Sequence, residues 1–273
     1  MTPIFLIAGK EIREGSRNRW ALAATTLLAA LALGIVFLGS APTGTVGAGA
    51  LDVTIVSLVS LTILIIPLIA LLLAHDSIVG EVERGTLALL LSYPLQRRQI
   101  LMGKFLGQVT ILAGAIVAGY GLAALTLVLA GNGEGDWPAF LVMLASSILL
   151  GAVFVSLGLL VSVLANDRGM AAGIAAGLWL GFAILYDMIL LGLLASDTGG
   201  HLGRSLIDGL LLLNPTDSYR LLNLAGSSGV AVAAGMSGSL DSSLGAPILL
   251  LSMLLWIAAP LVLAAVLFAR KEL

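Results

Sequence analysis

The charged side chains Asp76, Glu81, Glu83, Arg84, Arg97, Arg98 and Lys104 share one stretch, AHDSIVGEVERGTLALLLSYPLQRRQILMGK, residues 74–104. Carboxylates and cations set among apolar residues suit ion pairing and hydrogen bonding within a groove of another protein. They do not suit catalysis. Gly9-Lys10 and Gly103-Lys104 lack the following Ser or Thr and the earlier glycine of a phosphate-binding loop. No His-Glu-x-x-His, Cys-x-x-Cys or Gly-x-Ser-x-Gly motif occurs. The chain is therefore expected not to be an enzyme and to carry no cofactor of its own.

The pattern within the stretch predicts a broken amphipathic helix. Ser77 is the expected cap, and Glu81 falls in the first turn, where a carboxylate meets the positive helix end. Val79, Val82 and Leu87 give it an apolar side, Gly85-Thr86 interrupts it, and Tyr93-Pro94 ends it. Arg97, Arg98 and Lys104 need no more explanation than a membrane surface. Glu81 and Glu83 do, because topology asks for no acids there.

The elements that position this stretch follow from composition. Of 273 residues, 59% are hydrophobic and 10% charged, with mean hydropathy +1.12. A soluble domain carries about 25% charged residues, so the chain reads as an all-α polytopic membrane protein, one transmembrane domain over 1–273. A span needs roughly 20 apolar residues, and six windows qualify: 20–38, 53–74, 105–130, 138–164, 170–194 and 247–269. The first reads as a retained helix rather than a cleaved leader. Pro138 and Pro247 sit at expected helix starts, and Pro67 and Pro260 are expected to kink their spans. With both termini cytoplasmic, only Arg204 and Arg220 of the 13 basic residues lie outside, as the positive-inside rule requires. Residues 1–19 place Ile4, Phe5, Ile7, Ala8 and Ile12 near one helical face. They suit an interfacial elbow helix against membrane lipid, or a solvated tail that only sets topology.

The outer loop 195–246 holds two short helical patterns, 206–213 and 216–225. They are joined by Asn214-Pro215-Thr216-Asp217, with Thr216 or Asp217 as the expected cap and Gly226 as the stop. Asp187, late in the fifth span, is expected to pair with Arg204 or Arg220, or simply to be hydrated, rather than relay protons or ions. Gly173, Gly177 and Gly181 repeat every four residues and permit close helix approach, within one subunit or between two. Asn166-Asp167-Arg168 is a second cytoplasmic turn, equally readable as a minor docking contact. Soft ligands or imidazole would hold copper, but there is no Cys, and His75 and His201 fall on opposite sides. Met102, Met143, Met170, Met188, Met236 and Met253 are scattered, so no metal site is expected. No basic stripe with interleaved aromatics suggests nucleic acid.

Gly80-Glu81-Val82-Glu83-Arg84-Gly85-Thr86, then Leu90 to Pro94, Arg97-Arg98, Ile100 and Gly103-Lys104, resembles the loop signature of ABC-2-type permeases, the membrane subunits of ATP-binding-cassette transporters. The six-span layout with an N-terminal amphipathic helix is similar too. The resemblance implies that Glu81, Val82, Glu83, Arg84, Gly85 and Thr86, with Asp167 and Arg168, meet a cytoplasmic ATPase, present in two copies, that binds ATP and Mg. It implies a second copy of this chain, packed through the first and fifth spans, with Gly173, Gly177 and Gly181 at the interface. It places the chain in a bacterial inner membrane. Leu211 to Leu221 and Arg17-Asn18-Arg19-Trp20 resemble the branch of that family serving nitrous-oxide reductase maturation. That branch implies a periplasmic β-helical copper-handling partner against Asn214, Pro215, Thr216, Asp217, Tyr219 and Arg220. Two other readings stay open. One is export of a small solute such as a sulfur species, through a polar path between subunits. The other is ion-coupled transport, against which a single intramembrane acid and no evident repeat argue.

Overall fold

In a computed structural model the apolar runs form helices, because a backbone in hydrocarbon must satisfy its own hydrogen bonds. The structure describes residues 3–17, 19–39, 50–93, 95–131, 135–196, 203–224, 230 and 244–271. The expected loops 40–49 and 231–243, Pro94, His201, Gly226 and Met236 lie outside these residues, as do the side chains of Arg17, Arg19, Trp20 and Arg204.

The helices are α1 Pro3–Arg17, α2 Arg19–Gly39, α3 Ala50–Ala74, α4 Val79–Glu83, α5 Thr86–Leu91, α6 Arg97–Leu129, α7 Trp137–Leu164 and α8 Arg168–Leu180. A π-helical turn, Gly181–Leu185, leads into α9 Tyr186–Ser196. Then come α10 Arg204–Leu213, α11 Pro215–Leu224 and α12, Ala246–Arg270. Among the described residues there is no strand. The chain is a polytopic, all-helical membrane protein. Five stretches are long and apolar enough to cross a bilayer: Ala50–Glu83, Arg97–Leu129, Trp137–Leu164, Arg168–Ser196 and Ala246–Arg270. α2 adds a shorter apolar stretch, Ala23–Phe37, where the sequence predicts a sixth span.

α7 is the axis. Of its most apolar window, 78% is buried, against 6% for the stretch that joins α8 to α9. α3, α6 and α12 pack against α7, α1 and α2 lie along α6, and α11 inserts between α3, α7 and α12. The third span begins earlier than expected. α6 starts at Arg97, where the Gln99 side chain accepts from the Gln96 amide at 3.0 Å, so Lys104 lies well inside the helix. Pro67 and Pro260 are buried inside α3 and α12. α7 starts as expected for Pro138, with the Asp136 carboxylate accepting from the Ala139 amide at 2.9 Å.

Candidate functional site: the clasp and the wedge

The charged stretch 74–104 opens with two short helices, α4 and α5, broken at Gly85. Its φ of +71° is a left-handed conformation that glycine adopts without steric cost. The expected cap is corrected. Ser77 does not cap α4; the Ser77 hydroxyl instead accepts from Gln108 Nε2 at 2.9 Å. The Ile78 and Val79 amides both donate to the hydroxyl of Ser162, at 2.8 and 3.1 Å. The start of α4 is therefore satisfied by α7, a pairing that local sequence could not reveal.

The two turns expected on the cytoplasmic side are clasped together. The Arg168 amide donates to Glu83 Oε1 at 2.9 Å, and the Arg168 guanidinium lies 2.9 Å from Glu83 Oε2 and 3.1 Å from Asp76 Oδ1. Arg168 also donates to the Gly80 carbonyl at 3.1 Å. Asp167 caps α8, accepting from the Met170 amide at 2.7 Å. Glu83 and Arg168 thus tie α4 to the start of α8, and their side chains remain 37% and 39% exposed. Exposed ion pairs contribute about 0–1 kcal/mol each, so the clasp orients more than it stabilises.

Glu81 stands apart from its neighbours. It is 7% exposed and turned inward, with Oε1 at 2.8 Å from Lys104 Nζ. Lys104 is 3% exposed and also donates to Glu11 of α1 at 2.9 Å. The resemblance expects Glu81 to meet a partner; here its carboxylate is enclosed against a buried ammonium, and turning it outward would leave an uncompensated charge. The exposed residues of this turn are Glu83, Arg84, Gly85 and Thr86, with Val82 half-buried. Beside it, Arg97 Nη1 donates to the Phe268 and Lys271 carbonyls at 2.7 and 2.6 Å. Lys271 Nζ donates to the carbonyls of Val163 and Ala165 at 2.8 and 3.2 Å. Cations at these helix ends complement the C-terminal dipole, and burial lowers the Lys271 ammonium from its usual range.

On the opposite side, α10 and α11 form a wedge rather than a surface layer. Asn214 is the hinge and the cap. Its Oδ1 accepts from the Thr216 amide at 3.0 Å, so the expected caps Thr216 and Asp217 are corrected to Asn214. Asn214 Nδ2 donates to the Phe182 carbonyl, in the π-helical turn, at 3.2 Å, and to Asp217 Oδ2 at 3.1 Å. The Thr216 hydroxyl also reaches the Phe182 carbonyl, at 3.2 Å. Deeper in, the Tyr219 and Ser147 hydroxyls lie 2.9 Å apart, and Asn223 Nδ2 donates to the Ser146 hydroxyl at 2.9 Å. Phe182 stacks edge-on between Phe154 and Trp256, with centroids 6.0 and 5.4 Å away.

Asn214, Thr216 and Tyr219 are wholly buried, Asp217 is 2% exposed and Pro215 is buried. The residues expected to contact an external partner are thus enclosed in this chain, Arg220 apart. Polar groups in an apolar interior must be hydrogen-bonded: Asn214 and Thr216 bond to Phe182, Tyr219 to Ser147 of α7, and Asp217 to Asn214 and Arg220. Arg220 is half-buried and bridges Asp187 at 2.6 Å and Asp217 at 3.0 Å. The pairing expected for Asp187 with Arg220 is thus present. The exposed side of this corner is α10, with Leu206 and Leu213 outward.

The fifth span leans on the protomer through Ala171, Ala175 and Ala183, and through Trp179 Nε1, which donates to the Leu64 carbonyl at 2.8 Å. A Cβ built at Gly173, Gly177 or Gly181 meets nothing within 4 Å. These glycines open outward and do not serve packing within one subunit. The π-helical turn that begins at Gly181 has no signal in the sequence. Among the described residues no group of three or more His, Cys, Asp or Glu is arranged to hold a metal ion.

A family model for ABC-2 family transporter proteins matches residues 5–273. The chain is 46% identical over 276 residues to the "Probable ABC transporter permease protein NosY" of Stutzerimonas stutzeri, covering 99% of each. It is also 46% identical, over the full length of both, to the protein of the same name from Pseudomonas aeruginosa. With clasped turns, apolar spans and a match over nearly its whole length, the chain belongs to the ABC-2 family of transporter proteins.

Proposed function

We propose that this chain is the inner-membrane permease subunit that couples ATP hydrolysis, in two copies of a separate cytoplasmic ATPase, to periplasmic steps in copper-site assembly of nitrous-oxide reductase. The observation that carries the coupling role is the exposed ridge Glu83–Arg84–Gly85–Thr86, clasped through Arg168 to the fifth span. Displacement of this ridge pulls on the fifth span, and the fifth span is bonded to the outer wedge at Phe182 and Asp187. The maturation role rests on full-length likeness to the two NosY relatives. The partners are the ATPase, a second copy of the chain against the open glycine face, membrane lipid and a periplasmic copper-handling protein. The wedge residues transmit to that protein rather than touch it, which leaves α10 as the contact.

The exporter reading wants a polar path between subunits. The exposed side of the fifth span instead carries Ile174, Leu180, Leu185, Met188 and Ile189 beside the three glycines. A dry face favours mechanical transmission.

The test replaces Arg84→Glu with Thr86→Asp in the native host, sparing the buried Glu81. The variant is expected to reach the membrane, to lose the ATPase on co-purification and to leave the reductase copper-deficient. An ATPase that still co-purifies overturns the docking ridge. A lost ATPase beside a copper-loaded, active reductase overturns the maturation role.

A further inference from the structure

Lys104 joins three elements that the coupling reading does not by itself connect. Its ammonium, 3% exposed, sits 2.8 Å from Glu81 of α4 and 2.9 Å from Glu11 of α1, and its own backbone belongs to α6. Lys10 approaches the same Glu81 oxygen at 4.0 Å and pairs at 3.5 Å with Glu14, toward solvent.

The backbone around Lys104 is built for close contact with α1. A Cβ at Gly103 would come within 3.0 Å of the Ile4 carbonyl oxygen, and one at Gly107 within 3.1 Å of the Ala8 carbonyl oxygen. These glycines lie one and three residues from Lys104, so α1 rests on bare α6 backbone on both sides of the ammonium. α1 also presents Phe5 and Leu6, 66% and 60% exposed, away from the bundle. An amphipathic helix with such a face lies in the membrane interface. A buried lysine shared by two carboxylates holds both, since releasing either strands charge in a low dielectric.

We propose that Lys104 is a positioning residue that carries displacement of α4 to the interfacial helix α1 through Glu81 and Glu11. ATP-driven movement of the coupling ridge then tilts α1 in the membrane interface as well as pulling the fifth span. This rests on the coupling reading above.

The chain has no cysteine, so spin labels can be placed at will. Labels at Leu89 on α5 and Glu14 on α1 would each be paired with one at Arg270 beyond the bundle, in the full complex with its ATPase. All three positions are exposed. Distances are read by pulsed electron paramagnetic resonance, without nucleotide and with ATP and vanadate. Both distances are expected to change in the parent. Glu11→Leu is expected to abolish the change at position 14 and keep that at 89. Glu11→Gln, which keeps an acceptor for Lys104, is expected to keep both. The proposal is overturned if position 14 still moves in Glu11→Leu, or stays still in the parent while 89 moves. If neither distance moves in the parent, the coupling reading itself fails and Lys104 falls with it.

Discussion

Replacing Lys104 by Met removes the cation from a site that keeps two carboxylates, Glu11 at 14% and Glu81 at 9% side-chain exposure. Breaking a buried pair by removing one partner costs about 3–5 kcal/mol. Lys10 lies 4.0 Å from Glu81 and can recover part of that for one carboxylate, but not for both. For a chain of this size each kcal/mol moves Tm by about 2–4 °C, so the expected loss is roughly 6–20 °C. The assay is thermal unfolding of the purified protein in lipid nanodiscs, followed by tryptophan fluorescence. The triple variant Lys104→Met, Glu11→Leu, Glu81→Leu removes all three charges and is expected to recover most of the loss, because apolar replacement of a whole buried ion group is often neutral. As a control, Arg168→Ala strips the exposed clasp and is expected to cost much less. A Lys104→Met protein that melts with the parent would refute the inward placement of Glu81. A triple variant no better than the single would show that packing, not charge, decides the site.

Asn214→Ala leaves the Phe182 carbonyl and Asp217 each short of a donor, so it is expected to lose about 1–3 kcal/mol in the same unfolding assay. Tyr219→Phe removes a hydroxyl whose neighbours keep other partners, Ser147 the Met143 carbonyl at 2.6 Å and Thr62 the Leu58 carbonyl at 2.7 Å, and about 1 kcal/mol is expected. A Tyr219 loss larger than that of Asn214 would contradict the hinge assignment. Gly103→Val forces α1 off α6 and is expected to cost about 1–3 kcal/mol and to expose α1 to limited proteolysis; an unchanged cleavage pattern would count against the close approach. Gly177→Leu meets open space in the protomer and is expected to leave its stability unchanged. It is also expected to shift the mass measured by native mass spectrometry from dimer to monomer; a retained dimer would move the subunit interface elsewhere.

Much of the architecture could be read from local composition. Apolar runs, Pro138 and Pro247 at helix starts, and the break at Gly85-Thr86 all report a short stretch of chain, which is what periodicity and propensity describe. The candidate site was legible as a place but not as a set of roles. Glu81 and Glu83 look alike in sequence, two residues apart and both acidic. On a short helix that spacing points them to different sides, one toward Lys104 and one toward Arg168. Likewise Asn214 to Arg220 read as a turn and helix start open to a partner, yet all but Arg220 of the residues singled out there are buried. Lys104 left a faint signal, a cation between Gly103 and Gly107 at the start of an apolar run.

The sequence by itself determined that the chain is helical and crosses a membrane, because 10% charge over 273 residues cannot cover a water-facing surface. It also marked the cytoplasmic stretch from which coupling would start. Only the tertiary structure decided which charges face outward and which are enclosed. It drew the Ser162 cap to α4, the Glu11 carboxylate to Lys104, and the Phe182 carbonyl to Asn214, across 32 to 93 residues of chain. The reason is physical: in an apolar interior every polar group must find a partner, and which partner is within reach depends on how helices distant in sequence are packed.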